Sequence, residues 1–235
     1  MRALRILLVL FAVFSLIFVA ADRITVKIAE DKAAEKIQSL HGLSGDTDVL
    51  IKGFPFLTQV VQKRLDHIDV HMTGVEAAAS GGSGDQITIS ELNAKFTGVE
   101  VGSDYASATA ESTDGTALIG YDALTAATGK QGVKISYGGG GKVKVTADGD
   151  TLGTGREGTV LSTVTTTGGD TVRVRADEVP PEAARLPGGE QRVRRSVDVT
   201  RQVDGLPEGI KLGAVTATVD GISVKLTGTN VRLAG

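Results

Sequence analysis

Apolar and polar positions divide the chain into two regions. Residues 6–21 (ILLVLFAVFSLIFVAA) are almost entirely apolar and follow two arginines, Arg2 and Arg5. Residues 22–40 then place isoleucines and alanines at helical spacing between charged residues, which predicts an amphipathic helix. From residue 67 onward, most apolar positions alternate with polar ones, which predicts β-strands separated by glycine-rich turns. The chain therefore starts as helix and continues mainly as strand.

The N-terminal run has the build of a secretory signal or of a membrane anchor. Positive charge, an apolar stretch and small residues at Val19-Ala20-Ala21 fit a signal that is cleaved before Asp22. The run is shorter than the roughly 20 residues of a comfortable bilayer span, but its arginines would also orient an uncleaved anchor. Both interpretations export the remainder, to a periplasm-like space or to the outer face of the cytoplasmic membrane. We expect residues 1–21 to be the signal or anchor and residues 22–235 to be a single domain of the cell envelope.

The segment after the first helix combines a short strand with a second helix. Residues 48–52 predict the strand, and residues 57–65 (LTQVVQKRL) carry one apolar stripe and predict the helix. Between them, Phe54 and Phe56 flank Pro55. The two aromatic rings form either a hydrophobic staple at the start of the helix or the rim of an apolar site.

The rest of the chain predicts a series of antiparallel strands. Ile68, Val70 and Met72 face one way, and a bulge near residues 90–91 would reconcile two registers of the next strand. An Asp114-Gly115 turn breaks the strand after that, and residues 118–128 predict a third short helix. Residues 177–191 hold three of the five prolines and predict an exposed connection.

The valine pattern of the second half predicts further strands. Val193, Val197, Val199 and Val203 mark one of them. Gly168-Gly169 and Asp220-Gly221, each between alternating runs, are typical of tight hairpins. The whole pattern predicts an α+β fold, in which one antiparallel meander sheet buries its apolar face against two or three amphipathic helices.

Composition excludes several classes of function. The chain has no cysteine, so it has neither disulfides nor thiolate metal sites. Without the two N-terminal arginines, the remainder has 23 Lys and Arg against 28 Asp and Glu. That balance argues against nucleic acid as a partner, because binding a phosphate backbone needs a basic excess.

Motifs for catalysis or for cofactors are weak. Residues 153–158 (GTGREG) match a dinucleotide fingerprint in form, but the β-branched residues after them predict a strand where the fingerprint needs a helix. His67, Asp69 and His71 share one face of a predicted strand and could donate to a metal. The spacing indicates no third strong ligand beside the two histidines, and a metal site needs three or four ligands. We therefore expect no enzyme, no cofactor and no metal, although a hydrolase of envelope glycans or lipids stays open.

Arginines accumulate between residues 173 and 201. Their side chains either cover the solvent face of strands or contact anionic lipid headgroups, where each charge near the surface contributes about 1 kcal/mol. The arginines concerned are Arg173, Arg175, Arg192, Arg194, Arg195 and Arg201.

Two motifs near the N-terminus resemble one family. Residues 53–59 (GFPFLTQ), followed by residues 64–70 (RLDHIDV), look like the LmeA-like family of phospholipid-binding proteins, and residues 206–212 (LPEGIKL) resemble its ending. The resemblance implies a tubular lipid-binding fold, in which a long curved antiparallel sheet wraps helices and encloses an apolar cavity. It also implies phospholipid binding and a role in building the cell envelope.

An acyl chain needs a concave apolar surface. The candidate lining residues are Ile28, Ile37, Leu40, Phe54, Phe56, Leu57, Val60, Val61, Leu65 and Leu124. We expect a non-catalytic carrier or envelope-biogenesis factor with phospholipid and a membrane surface as partners. The alternative is a membrane-anchored structural or assembly protein with a packed core, which binds other envelope proteins.

Overall fold

A computed structural model describes residues 2–41, 45–78, 86–103, 107–129, 131–149, 157–203 and 206–234. Within these ranges, eleven strands form two antiparallel sheets, and neither sheet is closed. The α+β class is thereby confirmed, although the strands divide between two sheets instead of forming one. The six-stranded first sheet has the order β1-β2-β3-β4-β11-β10, and the five-stranded second sheet has the order β5-β6-β7-β8-β9.

The elements follow one another as the alternation of patterns predicts. The helices are α1 Arg2–His41, α2 Phe56–Gln62, α3 Tyr121–Ala126, α4 Pro181–Ala184 and α5 Gly189–Val197. The strands of the first sheet are β1 Thr47–Lys52, β2 Arg64–Ala78, β3 Gln86–Val101, β4 Ala108–Ile119, β10 Ile210–Ala217 and β11 Ile222–Ala234. Those of the second sheet are β5 Val133–Gly139, β6 Lys142–Ala147, β7 Gly158–Thr167, β8 Thr171–Ala176 and β9 Val199–Gln202.

The first helix is continuous from the apolar run into the amphipathic segment. Its residues Leu4–Ser39 include an 18-residue window with a mean hydropathy of 2.7, and none of that window is buried. Length and composition suit a membrane span, and a signal sequence has the same two properties. The second half of α1 lies against β1, the edge strand of the first sheet.

Two carboxylates on α1 hold the helix against the domain. Glu30 Oε1 accepts a hydrogen bond from the backbone N–H of Ile51 at 2.8 Å, and it thereby satisfies a donor on the open edge of β1. Asp22 is fully buried, and its Oδ1 accepts from the N–H of Leu57 at 2.8 Å. Asp22 therefore takes the role of the N-cap that Pro55, at the start of α2, does not supply.

Three local predictions are wrong. Strands β2 and β3 keep one register from Arg64↔Glu100 to Ala78↔Gln86, so no bulge forms near residues 90–91. Instead, the apolar residues of β3 change from one face of the sheet to the other between Ile89 and Leu92. At this point the β2–β3 hairpin extends beyond its neighbours, since β1 pairs only as far as Met72 and β4 only as far as Glu91.

The Asp114-Gly115 pair lies inside β4 and forms no turn. A Cβ on Gly115 would lie 2.7 Å from the carbonyl oxygen of Asn93, so the glycine permits close approach of two strands. Val193 and Val197 lie in helix α5, where both are buried, because a spacing of four residues places them on one helical face. The connection predicted for residues 177–191 contains α4 and the start of α5.

The core forms where the two sheets face each other. Val143 and Val164 of the second sheet pack in one cluster with Leu212, Ala217 and Val224 of the first. A second cluster joins α4 and α5 to the second sheet through Ala183, Val193 and Val197. Both predicted hairpins are present, at Gly168-Gly169 and at Asp220-Gly221.

Replacing Glu30 tests the attachment of α1 to the sheet edge. We expect Glu30→Ala to lower the free energy of unfolding by about 2 kcal/mol, because a hydrogen bond to a charged acceptor is lost and the N–H of Ile51 is left without a partner. Denaturant titration of the full chain measures the loss. Glu35→Ala, at an exposed position of the same helix, is the control, and equal losses in both variants would contradict the assignment.

Replacing Asp22 tests the cap on α2. We expect Asp22→Ala to accelerate hydrogen exchange of the Leu57 amide by roughly fivefold, which is the size of effect that loss of a helix cap produces. The control is Asp31→Ala, which removes an exposed carboxylate of α1 paired with Lys27. If the Leu57 amide exchanges at the same rate in both variants, Asp22 does not hold α2.

Candidate functional site

A stripe of apolar side chains, which we call the trough, crosses one face of the first sheet. Cross-strand register places Ile68 opposite Phe96 and Met72 opposite Leu92, and these four large side chains are only half-buried. On the next strand, β4, the same face carries the small residues Thr113, Gly115 and Ala117. Beyond β4, the face carries larger residues again, namely Val224 and Leu226 on β11 and Leu212 on β10.

The alternation of large and small side chains gives the trough its shape. Strand β4 carries the smallest side chains of this face, so we call β4 the floor of the trough. Phe96 and Leu92 stand on one side of this floor, and Leu226 stands on the other. Tyr121 and Leu124 of α3 pack with the core cluster that covers the β10–β11 side. On the β2–β3 side, Ile68 and Phe96 pack against the cluster around Val99, while Met72 and Leu92 stay half-buried.

A polar atom is buried in the floor of the trough. The hydroxyl oxygen of Thr113 has no hydrogen-bond partner among the described residues, and the residue is only 3% exposed. Buried polar groups normally have a partner in the protein or in bound water. The trough therefore presents one unsatisfied hydrogen-bonding group within an otherwise apolar surface.

A second apolar surface lies where α1 meets α2. Phe54 and Val61 are 59% and 82% exposed, and Ile24 on α1 is 63% exposed. The guanidinium of Arg23 lies 5.2 Å from the centre of the Phe54 ring, within the range of a cation–π contact. These side chains lie beside the point where the apolar half of α1 leaves the domain.

The polar residues of the GFPFLTQ and RLDHIDV motifs serve the fold. Gln59 is buried, and its Oε1 accepts from the N–H of Asp66 at 2.8 Å. Gly53 has a φ of +111°, and a Cβ there would lie 2.4 Å from Gln59 Nε2, so both conformation and space require glycine. Arg64 pairs with Glu100 and Glu111, each at 2.8 Å.

The predicted lining residues do not gather at one place. Leu124 packs with the core cluster between the two sheets, and Leu65 packs in the small cluster around Val99 that also holds Ile68 and Phe96 of the trough. Phe56 is buried. A hydrophobic staple would pack Phe54 against an apolar side chain at the fourth position of α2. That position is the polar Gln59, and Phe54 is exposed, so Phe54 forms no staple. The half-buried members are Ile37, Leu57 and Val60; the exposed members are Ile28, Phe54 and Val61; the side chain of Leu40 lies outside the described residues.

Sequence reasoning missed the strand residues of the trough. The alternation of Ile68, Val70 and Met72 was the available signal, since it marks an inward face. It does not indicate that Ala117 and Gly115 lie two strands away and leave space. Asp22 and Gln59 were missed as well, because their partners are fixed only by the tertiary fold.

The remaining candidates from the sequence are the His67, Asp69 and His71 face and the GTGREG segment. Over the described ranges, no group of three or more His, Asp or Glu side chains could hold a metal ion. His71 Nδ1 lies 2.8 Å from Asn93 Oδ1, and Asp69 pairs with Lys52. Most of the GTGREG segment lies outside the described residues.

Comparison with known proteins gives one positive result. Neither the curated proteins nor the solved structures contain a match to this chain. The family described as LmeA-like phospholipid-binding matches residues 20–227, which include α2, the trough and every strand except the second half of β11. The match spans most of the sequence, so the chain belongs to the LmeA-like phospholipid-binding family.

Proposed function

We propose that this chain is an exported, non-catalytic phospholipid-binding protein of the cell envelope, which acts as a lipid carrier or as an envelope-biogenesis factor. The observation that carries the proposal is the half-buried apolar trough in a chain of a phospholipid-binding family. In this proposal the trough takes a lipid acyl chain, and α1 holds the domain at a membrane surface.

The energetics of the trough favour an acyl chain. Each methylene that leaves water for an apolar surface contributes about 0.8 kcal/mol. Met72, Leu92 and Phe96 would also lose their remaining contact with water when a chain covers them. Alanine and glycine on β4 leave space for that chain without displacing a side chain. The unsatisfied hydroxyl of Thr113 would give a lipid ester or a bound water one polar contact.

The junction of α1 and α2 is the proposed lipid portal. Asp22 fixes α2 at the end of the apolar half of α1, so a membrane-inserted α1 would bring Phe54 and Val61 close to the bilayer surface. Exposed apolar side chains at that level would contact lipid instead of water. In this arrangement Phe54, Phe56, Leu57, Val60 and Val61 have their proposed role at the portal, and Leu124 has its role at the trough.

Native mass spectrometry of the full chain, purified in mild detergent, tests the trough. We expect phospholipid adducts on the parent chain and a roughly tenfold lower bound fraction for Met72→Gln, because an amide beneath an acyl chain loses its hydration. Met72→Leu is the matched control and should retain the lipid. Absence of lipid from the parent chain would contradict the proposal and favour the structural or assembly role.

Lipid uptake from vesicles tests the portal. We expect the Phe54→Ser, Val61→Ser double variant to take up a fluorescent phospholipid about tenfold more slowly, because apolar contact with the bilayer is removed. The control is Val219→Ser, which removes a 72% exposed valine between β10 and β11. Equal slowing in the control would show that any exposed apolar residue has this effect, and the portal would be rejected.

A further inference from the structure

The second sheet has one apolar and one basic face. Val143, Val164 and Val174 point toward the first sheet and pack in the shared core. Side chains alternate along each strand, so the residues next to these valines point outward. The outward side chains include five cations, which we call the basic face: Lys134, Lys142, Lys144, Arg173 and Arg175.

Strand register places these cations on three strands, β5, β6 and β8, of the second sheet. Lys134 and Lys144 belong to the paired strands β5 and β6, and Arg173 and Arg175 lie on β8 opposite Thr165 and Thr163 of β7. Lys134, Arg173 and Arg175 are exposed. The concentration runs against the composition, since the chain carries more acidic than basic residues.

Few acidic groups neutralise the basic face. Asp177 Oδ2 pairs with Lys142 Nζ at 3.0 Å, and its carboxylate accepts from Thr163 Oγ1 at 2.8 Å. Burial would raise the pKa of Asp177, but the hydrogen bonds from Lys142 and Thr163 outweigh it and lower the pKa. Among the described residues, no ion pair engages the remaining four cations, namely Lys134, Lys144, Arg173 and Arg175.

A polar groove at one end of the basic face adds a further cation. The groove has a volume of about 320 Å³ and is lined by Thr163, Thr165, Arg175, Ala176, Asp177 and Arg194. Arg194 comes from α5, where its Nε pairs with Glu190 Oε1 at 3.0 Å, and its Nη1 donates to the carbonyl of Ala176 at 3.0 Å. Guanidinium groups and hydroxyls are the groups that proteins use to bind phosphate oxygens.

The basic face lies far across the fold from the apolar helix. Helix α1 packs against β1, whereas the second sheet packs against β10, at the opposite edge of the six-stranded sheet. The basic face points away from that sheet, because the other face of the second sheet is part of the core. It is therefore accessible to a surface other than the bilayer that α1 would enter.

We propose that the basic face docks on an anionic phospholipid bilayer that is distinct from the one that holds α1. Charge complementarity identifies this partner, because four cations without an ion pair on one face of the sheet match a layer of phosphate headgroups. This inference rests on the phospholipid binding proposed above, and it adds a docking surface and a preference for anionic lipid.

Vesicle flotation tests the docking. The full chain is reconstituted into nanodiscs of neutral phosphatidylcholine and mixed with separate vesicles that contain either phosphatidylcholine alone or phosphatidylcholine with about one-third phosphatidylglycerol. We expect co-flotation only with the anionic vesicles, and we expect about 0.5 M salt to abolish it by screening. Arg173→Gln combined with Arg175→Gln should weaken the association roughly thirtyfold, because each basic residue near an anionic surface raises the affinity by a factor of about five.

A matched control distinguishes the effect of the basic face from the effect of a lower net positive charge. Lys95→Gln combined with Lys225→Gln removes the same charge from exposed positions of the first sheet and should leave flotation unchanged. Equal weakening in both double variants, or equal flotation with neutral vesicles, would overturn the proposal. Lipid adducts in native mass spectra separate this failure from that of the trough, because they should persist in the arginine variant if only the docking surface is wrong.

Discussion

One buried carboxylate connects the apolar N-terminal helix to the folded domain. Asp22 follows the apolar run directly, and it accepts hydrogen bonds from Leu57 at the start of α2 and from Arg23. A cap supplied from another helix fixes the position of α2 as well as its first turn. The exposed Phe54 and Val61 therefore have a defined position relative to α1, and a lipid portal at this junction would need the Asp22 cap to hold that position.

The trough depends on a contrast of side-chain sizes within one sheet. Met72, Leu92 and Phe96 alone would form an ordinary packed face, as valines do between the two sheets. Gly115 and Ala117 interrupt that face in the middle of the sheet, next to the half-buried Met72 and Leu92 of β2 and β3. Protein interiors normally leave few open spaces, so a half-buried apolar surface here is compatible with a ligand in a family that binds phospholipid.

Local rules predicted the parts of the fold that depend on neighbours in sequence. The Gly168-Gly169 and Asp220-Gly221 hairpins follow from turn chemistry, and β1 and α2 follow from short apolar patterns. Valines spaced by four residues fit a strand or a helix. In the structure Val193 and Val197 lie on one face of a helix, which packs against Ala183 of α4 and against the second sheet. The trough and the cap at Asp22 depend on partners two strands or 35 residues away, which no local pattern specifies.

The distribution of charge follows from the same two-sheet architecture. A sheet that buries one face must expose the other, and the exposed face of the second sheet concentrates lysine and arginine although the chain as a whole is acidic. Solubility alone would be served by mixed charges, as on the first sheet, where Arg64 pairs with Glu100 and Glu111. Cations that share one face without ion pairs repel one another, so their arrangement costs stability unless an anionic surface compensates it. In the proposed function, the two sheets thereby separate two kinds of lipid contact: the first would offer apolar surface to an acyl chain, and the second would offer positive charge to headgroups.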